Sequence, residues 1–194
     1  MAKAAQRAAS SVAGNTAKRA GPLDGRAKRT AVVSVEPAPP ATRISLRAGK
    51  DALPALSKAL GLALPDRPKS SASKGSRTAL WLGPDEWLVI DQAGHEMLAD
   101  CAKVKALHSA VDISHRNIGV VVSGAAAADT INTGCPQDLS LAAFPVGAAT
   151  RTVFGKIEIV LLRTAEDTFR VECWRSFSCY AFTFLADAAR DAAA

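Results

Sequence analysis

Ala79-Leu80-Trp81-Leu82-Gly83-Pro84-Asp85-Glu86-Trp87-Leu88-Val89-Ile90 sets two apolar runs on either side of Gly83-Pro84-Asp85-Glu86. Glycine, proline and aspartate there supply turn chemistry, so the stretch reads as a β-hairpin. Upstream, from Thr42, Ile44 and Leu46 alternate with Arg43, Ser45 and Arg47, the pattern of a half-buried strand. Leu53, Leu56 and Leu60 then recur at helical spacing, with Asp51 placed to cap the helix and Gly61 to end it. Residues 65–77, rich in Pro, Ser, Lys and Gly, read as a mobile surface loop, with Lys69, Lys74 and Arg77 as solvated charges rather than a binding patch. Downstream, a helix from about His95 to Lys105 leads to a strand from Ser109 to Ile113. Strand, helix, hairpin, helix, strand is the ferredoxin-like order.

The second half starts a new unit. Asn117 to Ser123 reads as a strand running into Gly124 and a helix of small residues from Ala125 to Thr133, stopped by Gly134-Cys135-Pro136. Residues 150–154, 157–163 and 168–174, separated by Gly155-Lys156 and residues 164–167, form a meander, and Phe169, Val171 and Cys173 share one face of its last strand. A closing helix carries Phe177, Tyr180, Phe184, Leu185 and Ala188 on one stripe, with Ser176 as its cap. The fold class expected is therefore α+β. Residues 42–194 form the domain, with subdomains at about 42–115 and 116–194.

The net charge of +6 over 194 residues suggests a polyanion binder until it is located along the chain. Residues 1–41 hold seven basic and two acidic side chains, whereas the remainder holds 17 and 16. The domain is thus nearly neutral, and neither nucleic acid nor a membrane is expected as a partner. Residues 1–41 read as a disordered basic Ala/Pro-rich extension, with Glu36-Pro37-Ala38-Pro39-Pro40 as a stiff spacer. Their composition also resembles that of a transit peptide. No stretch nears the ~20 apolar residues of a membrane span. Cys101, Cys135, Cys173 and Cys179 lack CxxC spacing and read as small buried hydrophobes, which suits a cytoplasmic location.

Catalytic constellations are sparse. The chain has no glycine-rich phosphate loop, and His95, His108 and His115 are not at metal-ligand spacing. Asp112-Ile113-Ser114-His115-Arg116 crowds the three triad residue types at a strand end. Residues so near in sequence do not readily orient one another as nucleophile, base and orienter, and a turn held by local hydrogen bonds is the simpler reading. Trp174, Arg175 and Phe177, with Tyr180 one turn on, bring aromatic and guanidinium groups to a strand–helix junction, the residue types enriched at protein interfaces. These four are the candidate partner contacts, with core packing an equal alternative.

Five segments in order, Leu82 to Leu88, Asp112 to Arg116, Gly134 to Leu139, Phe144 to Gly147 and Val171 to Phe177, resemble the sarcosine oxidase gamma subunit family across residues 42 to about 190. That family is similar to the folate-binding domain of the glycine-cleavage T-protein (aminomethyltransferase), which implies ferredoxin-like repeats forming a T-protein-like fold. The T-protein's acidic pair is replaced here by Gly155-Lys156-Ile157-Glu158, so a vestigial folate pocket would rest on Glu158 and Arg116. The resemblance implies a non-catalytic structural or assembly subunit of a cytoplasmic heterotetramer that oxidatively demethylates sarcosine to glycine. It implies direct contact with the alpha subunit, with beta and delta in the same complex. FAD, FMN, NAD, zinc and tetrahydrofolate would then sit on the partner subunits, and none in this chain. The alternative is a free-standing folate-binding protein or one-carbon transferase-like domain.

Overall fold

The computed structural model describes residues 20–194. Along the chain lie β1 (Lys28–Arg29), β2 (Ser34–Pro37), β3 (Thr42–Ala48), α1 (Leu53–Leu60), β4 (Ser71–Lys74), β5 (Arg77–Gly83), β6 (Glu86–Asp91), α2 (Met97–Cys101) and β7 (His108–Asp112). The second half continues with β8 (Asn117–Ser123), α3 (Ala127–Asn132), β9 (Ala149–Phe154), β10 (Ile157–Ala165), β11 (Thr168–Trp174), a 3-10 turn (Arg175–Phe177) and α4 (Ser178–Asp191).

The strands make two antiparallel sheets. The first runs β4-β5-β6-β3-β7. Without the added edge strand β4, it has the ferredoxin-like order, with the hairpin β5–β6 closed at Gly83 and Glu86 as the turn residues require. The second runs β1-β2-β8-β11-β10-β9, a meander of β9, β10 and β11 whose last strand returns beside β8. Each sheet carries its helices on one outer face. Leu56, Leu60, Met97 and Cys101 from α1 and α2 pack on Ile44, Leu46, Trp87 and Val89. Ile131, Ala181 and Leu185 from α3 and α4 pack on Val120, Val122, Phe169, Val171 and Cys173. Side chains buried this fully contribute on the order of 1.5–3 kcal/mol each. The inner faces meet through Leu80, Leu88 and Ile90 on one side and Ala149, Val160 and Leu162 on the other, giving four layers: helices, sheet, sheet, helices.

Several sequence expectations are corrected here. The extension of residues 1–41 is ordered where it is described: β2 pairs with β8, and Leu23, Val33 and Val35 are buried in the core of the second sheet. Val33 and Val35 alternate toward the core while Lys28, Arg29 and Glu36 stay on the accessible side, so a short strand satisfies β8's free edge despite the basic composition. Residues 1–19 of that expected extension lie outside the described residues. Within the loop expected at 65–77, Ser71–Lys74 forms β4 on the edge of β5. Neither expected helix cap holds: α1 starts after Ala52 and α4 after Phe177, neither with a side-chain cap bond. Gly61 does end α1, in a left-handed conformation at φ 66°. The apolar stripe of α4 is turned from the expected one, burying Ala181, Phe182, Leu185, Ala188 and Ala189 and leaving Phe177 and Tyr180 exposed. Cys101, Cys135 and Cys173 are buried, but Cys179 is exposed.

Candidate functional site

The seam between the sheets holds a cluster of buried charges. β3 and β11 approach across it, and their inward-facing side chains include Arg43, Arg170 and Glu172, all almost fully buried. Glu172 accepts from Arg43 Nε at 2.7 Å and Nη2 at 3.1 Å, and from Arg170 Nε at 2.7 Å. Arg43 Nη1 donates to the Ala41 carbonyl at 2.9 Å. One carboxylate thus serves two guanidinium groups and ties the sheets together, an Arg–Glu–Arg cluster of net charge +1. Gly119 on β8 leaves the space it needs, because a Cβ there would lie 2.7 Å from Glu172 Oε1 and 2.9 Å from Arg170 Nη2.

Beside this cluster opens a cleft of about 240 Å³, with Asn117 and Glu172 among its walls and Arg116, Arg151, Glu158 and Trp174 around it. The structure therefore brings Arg116 and Glu158, the two folate-pocket candidates, to one opening, and Trp174 with them. Arg116 lies over the Trp174 ring at 4.1 Å, and Trp174 stacks on Phe177 at 5.8 Å. That guanidinium–indole–phenyl stack is fastened from below by the backbone of Arg175, whose N–H donates to the Arg116 carbonyl at 2.6 Å. The Arg175 side chain is exposed. Tyr180 stands further along α4, its hydroxyl accepting from Lys156 N–H at 3.3 Å and its ring edge-on to Phe184.

The cleft is smaller than the roughly 300 Å³ at which pockets for drug-sized ligands begin. Arg151 spans it to pair with Glu86, and the half-exposed Glu158 lies 3.8 Å from Arg151. Trp174, Phe177 and Tyr180 are each 38–39% exposed, a large apolar area left toward solvent at one end of the second sheet.

The other candidates resolve into structure. The Ser114 hydroxyl, together with the Ser114 N–H that donates to Asp112 at 2.7 Å, holds the Asp112 carboxyl below the usual range, and Ser114 Oγ accepts the Arg43 N–H at 2.8 Å. His115 projects outward from this turn. Asp91, fully buried, accepts from Arg77 at 2.8 Å, His95 at 2.9 Å and the Ala93 N–H at 2.8 Å. Burial alone would raise its carboxyl, but these bonds prevail and hold it well below 3.8. Among the described residues, no group of three or more His, Cys, Asp or Glu side chains could hold a metal ion. No helix among them is long and apolar enough to cross a membrane.

The Arg43–Glu172–Arg170 cluster was missed by sequence reasoning. Its charges fall on the faces of β3 and β11 that alternation assigns to water. One signal was available: the continuous apolar run Ile159-Val160-Leu161-Leu162 on β10, beside β11, marks a sheet buried on both faces.

Comparison with known proteins follows the same lines. A model of the sarcosine oxidase, gamma subunit family matches residues 48–191. Sarcosine oxidase subunit gamma of Corynebacterium sp. (strain P-1) is 35% identical over 155 residues, covering 76% of this chain and 75% of that one. The subunit gamma of Arthrobacter sp. is 36% identical over 138 residues, covering 68% and 67%. A chain of the heterotetrameric sarcosine oxidase from Corynebacterium sp. U-96, in complex with pyrrole 2-carboxylate, superposes with a TM-score of 0.78 at 29% identity, over 84% of this chain and 86% of that one. The glycine cleavage system aminomethyltransferase T from Bartonella henselae has the same α+β fold, with a TM-score of 0.57 at 14% identity, over 82% of this chain and 49% of that one.

Proposed function

Since the chain belongs to the sarcosine oxidase gamma subunit family, we propose that it is an assembly subunit of a heterotetrameric sarcosine oxidase, the complex that oxidatively demethylates sarcosine to glycine. Its direct partner is the alpha subunit, with beta and delta in the same particle. FAD, FMN, NAD, zinc and tetrahydrofolate are carried by those chains. The complex works in the cytoplasm, where free thiols such as the buried Cys101, Cys135 and Cys173 persist.

The observation that carries the assembly reading is the exposed stack of Arg116, Trp174 and Phe177, continued by Tyr180. Aromatic and Arg side chains that stay rigid while exposed are the groups that dominate interface energies, because little conformational freedom is lost on docking. Co-expression of all four subunits with and without this chain tests the role. A stable, fully active complex lacking it would refute the reading. Paired W174A and F177A substitutions should weaken subunit association by at least tenfold while leaving the isolated chain's fold intact. Titration of the full chain with tetrahydrofolate addresses the free-standing folate-binding alternative, and no binding at millimolar ligand is expected, given the size of the cleft.

A further inference from the structure

A second opening between the sheets lies on the other side of the buried cluster. It measures about 400 Å³ and is walled by Ser71, Ser73, Thr78 and Gln92 near the first sheet and by Val121, Leu162 and Arg170 on the second. Among the described residues, Arg170 is its only charged side chain directed inward. Arg163 also borders it, but its guanidinium lies on the opposite face of the sheet, over the Phe169 ring and donating to the Leu139 and Phe144 carbonyls. Among the described residues, no carboxylate lines the opening.

Arg170 is 5% exposed, and its one hydrogen bond runs from Nε to Glu172. Among the described residues neither Nη1 nor Nη2 has a hydrogen-bond partner; Nη2 is enclosed beside Gly119, so Nη1 is the donor left to the pocket. Glu172 is already engaged by Arg43 through two bonds, so a single negative charge faces two positive ones. A buried charge without a counter-charge is among the costliest groups in a protein, and native structures meet it with a partner or an anion. A guanidinium N–H donor is suited to a carboxylate. The hydroxyls of Ser73 and Thr78, bonded to each other at 3.0 Å, sit across the opening, while Ile90, Val121 and Leu162 offer an apolar wall.

We infer that this inter-sheet pocket binds a small organic carboxylate, its anionic end on Nη1 of Arg170 and its apolar body against Ile90, Val121 and Leu162. The bound anion completes the charge balance that Glu172 alone leaves one short. The site is separate from the cleft at Arg116 and Trp174, and it stands or falls independently of the assembly role. A monocarboxylate with a short apolar body fits better than phosphate, because a single guanidinium faces the pocket and most of the remaining wall is uncharged.

Benzoate serves as the probe, with benzyl alcohol as its neutral counterpart and chloride at matched ionic strength. Saturation-transfer NMR on the full chain should show benzoate binding that saturates in the millimolar range or below, with binding of benzyl alcohol at least tenfold weaker. Arg170→Met, which leaves the Arg43–Glu172 pair whole, should weaken benzoate at least tenfold. Val146→Trp, which narrows the half-exposed rim without touching the charge cluster, should do the same. Equal binding of benzoate and benzyl alcohol, or unchanged benzoate binding in Val146→Trp, would overturn the assignment. Those two readouts decide it even if Arg170→Met does not fold.

Discussion

Replacing Glu172 by Gln keeps the side chain's shape and removes its charge, which makes it the sharpest test of what holds the two sheets together. In the native chain three N–H groups from two arginines end on this one carboxylate, which is 1% exposed. An amide leaves both guanidinium groups buried without a counter-charge and turns an NH2 toward one of them. Breaking a buried ion pair by removing one partner costs about 3–5 kcal/mol. Against a total stability of roughly 5–15 kcal/mol for a domain, that is a large fraction. Urea titrations followed by Trp fluorescence should show the midpoint fall steeply. Because the cluster is shielded from solvent, the loss should persist at 1 M salt, where an exposed pair would be screened. Hydrogen exchange should quicken first along β3 and β11. Replacing all three residues together, Arg43→Met, Glu172→Leu and Arg170→Met, should restore most of the loss, since the apolar set leaves no unpaired charge. A Glu172→Gln penalty under about 1 kcal/mol, the range of exposed pairs, would refute the view that the cluster clamps the sheets.

Gly155 stands at φ 57°, and a Cβ there would come 2.3 Å from the Tyr180 hydroxyl and 2.8 Å from Phe184. Gly155→Ala should therefore lower the melting temperature through strain and displacement of Tyr180, with a stability loss above the ~1 kcal/mol typical of a single substitution. Asp91, held below 3.8 in the fold, contributes stability that is fully present above that value and lost as pH falls through its depressed folded value. Acid titration of the native chain should thus show a stability loss starting below about pH 4, and Asp91→Asn should be destabilised at neutral pH with a flatter acid limb. Thiol labelling with a chromogenic disulfide should consume Cys179 alone in the native state. The buried Cys101, Cys135 and Cys173 should react only on unfolding, and within the fold Cys173 is doubly protected because burial also pushes its thiol up to about 12.

Much of the architecture is legible from local pattern. The hairpin at Gly83 to Glu86, the helix ending at Gly61 and the shared face of Phe169, Val171 and Cys173 are all decided by neighbours in sequence, and the structure has them. The misses come from contacts between residues far apart in sequence. Alternation shows that one face of β3 and of β11 is buried, but whether the other meets water or a second sheet depends on a partner strand elsewhere in the chain. Arg43 and Glu172, 129 residues apart, could be paired only by knowing that the sheets stack. β2 was hidden by a global property, the basic composition of its neighbourhood, although Val33 and Val35 carried the period-two signal. At the cleft, Arg116 and Trp174 were each legible as residue types, but their stacking depends on the Arg175 N–H bond that joins two chain segments.

The place of β2 in the second sheet bears on the order of events at the ribosome. This strand emerges early, yet the edge it completes belongs to β8, made only after the whole first unit has left the exit tunnel. During that interval the first unit can close on its own local hairpin, while Leu23, Val33 and Val35 wait uncovered. Arg26, Lys28 and Arg29 flank these apolar residues, and charges so placed are the kind that oppose association of an uncovered apolar segment. A tail trimmed to Thr42 would leave β8 with an open edge, and the cost would be paid in aggregation during synthesis.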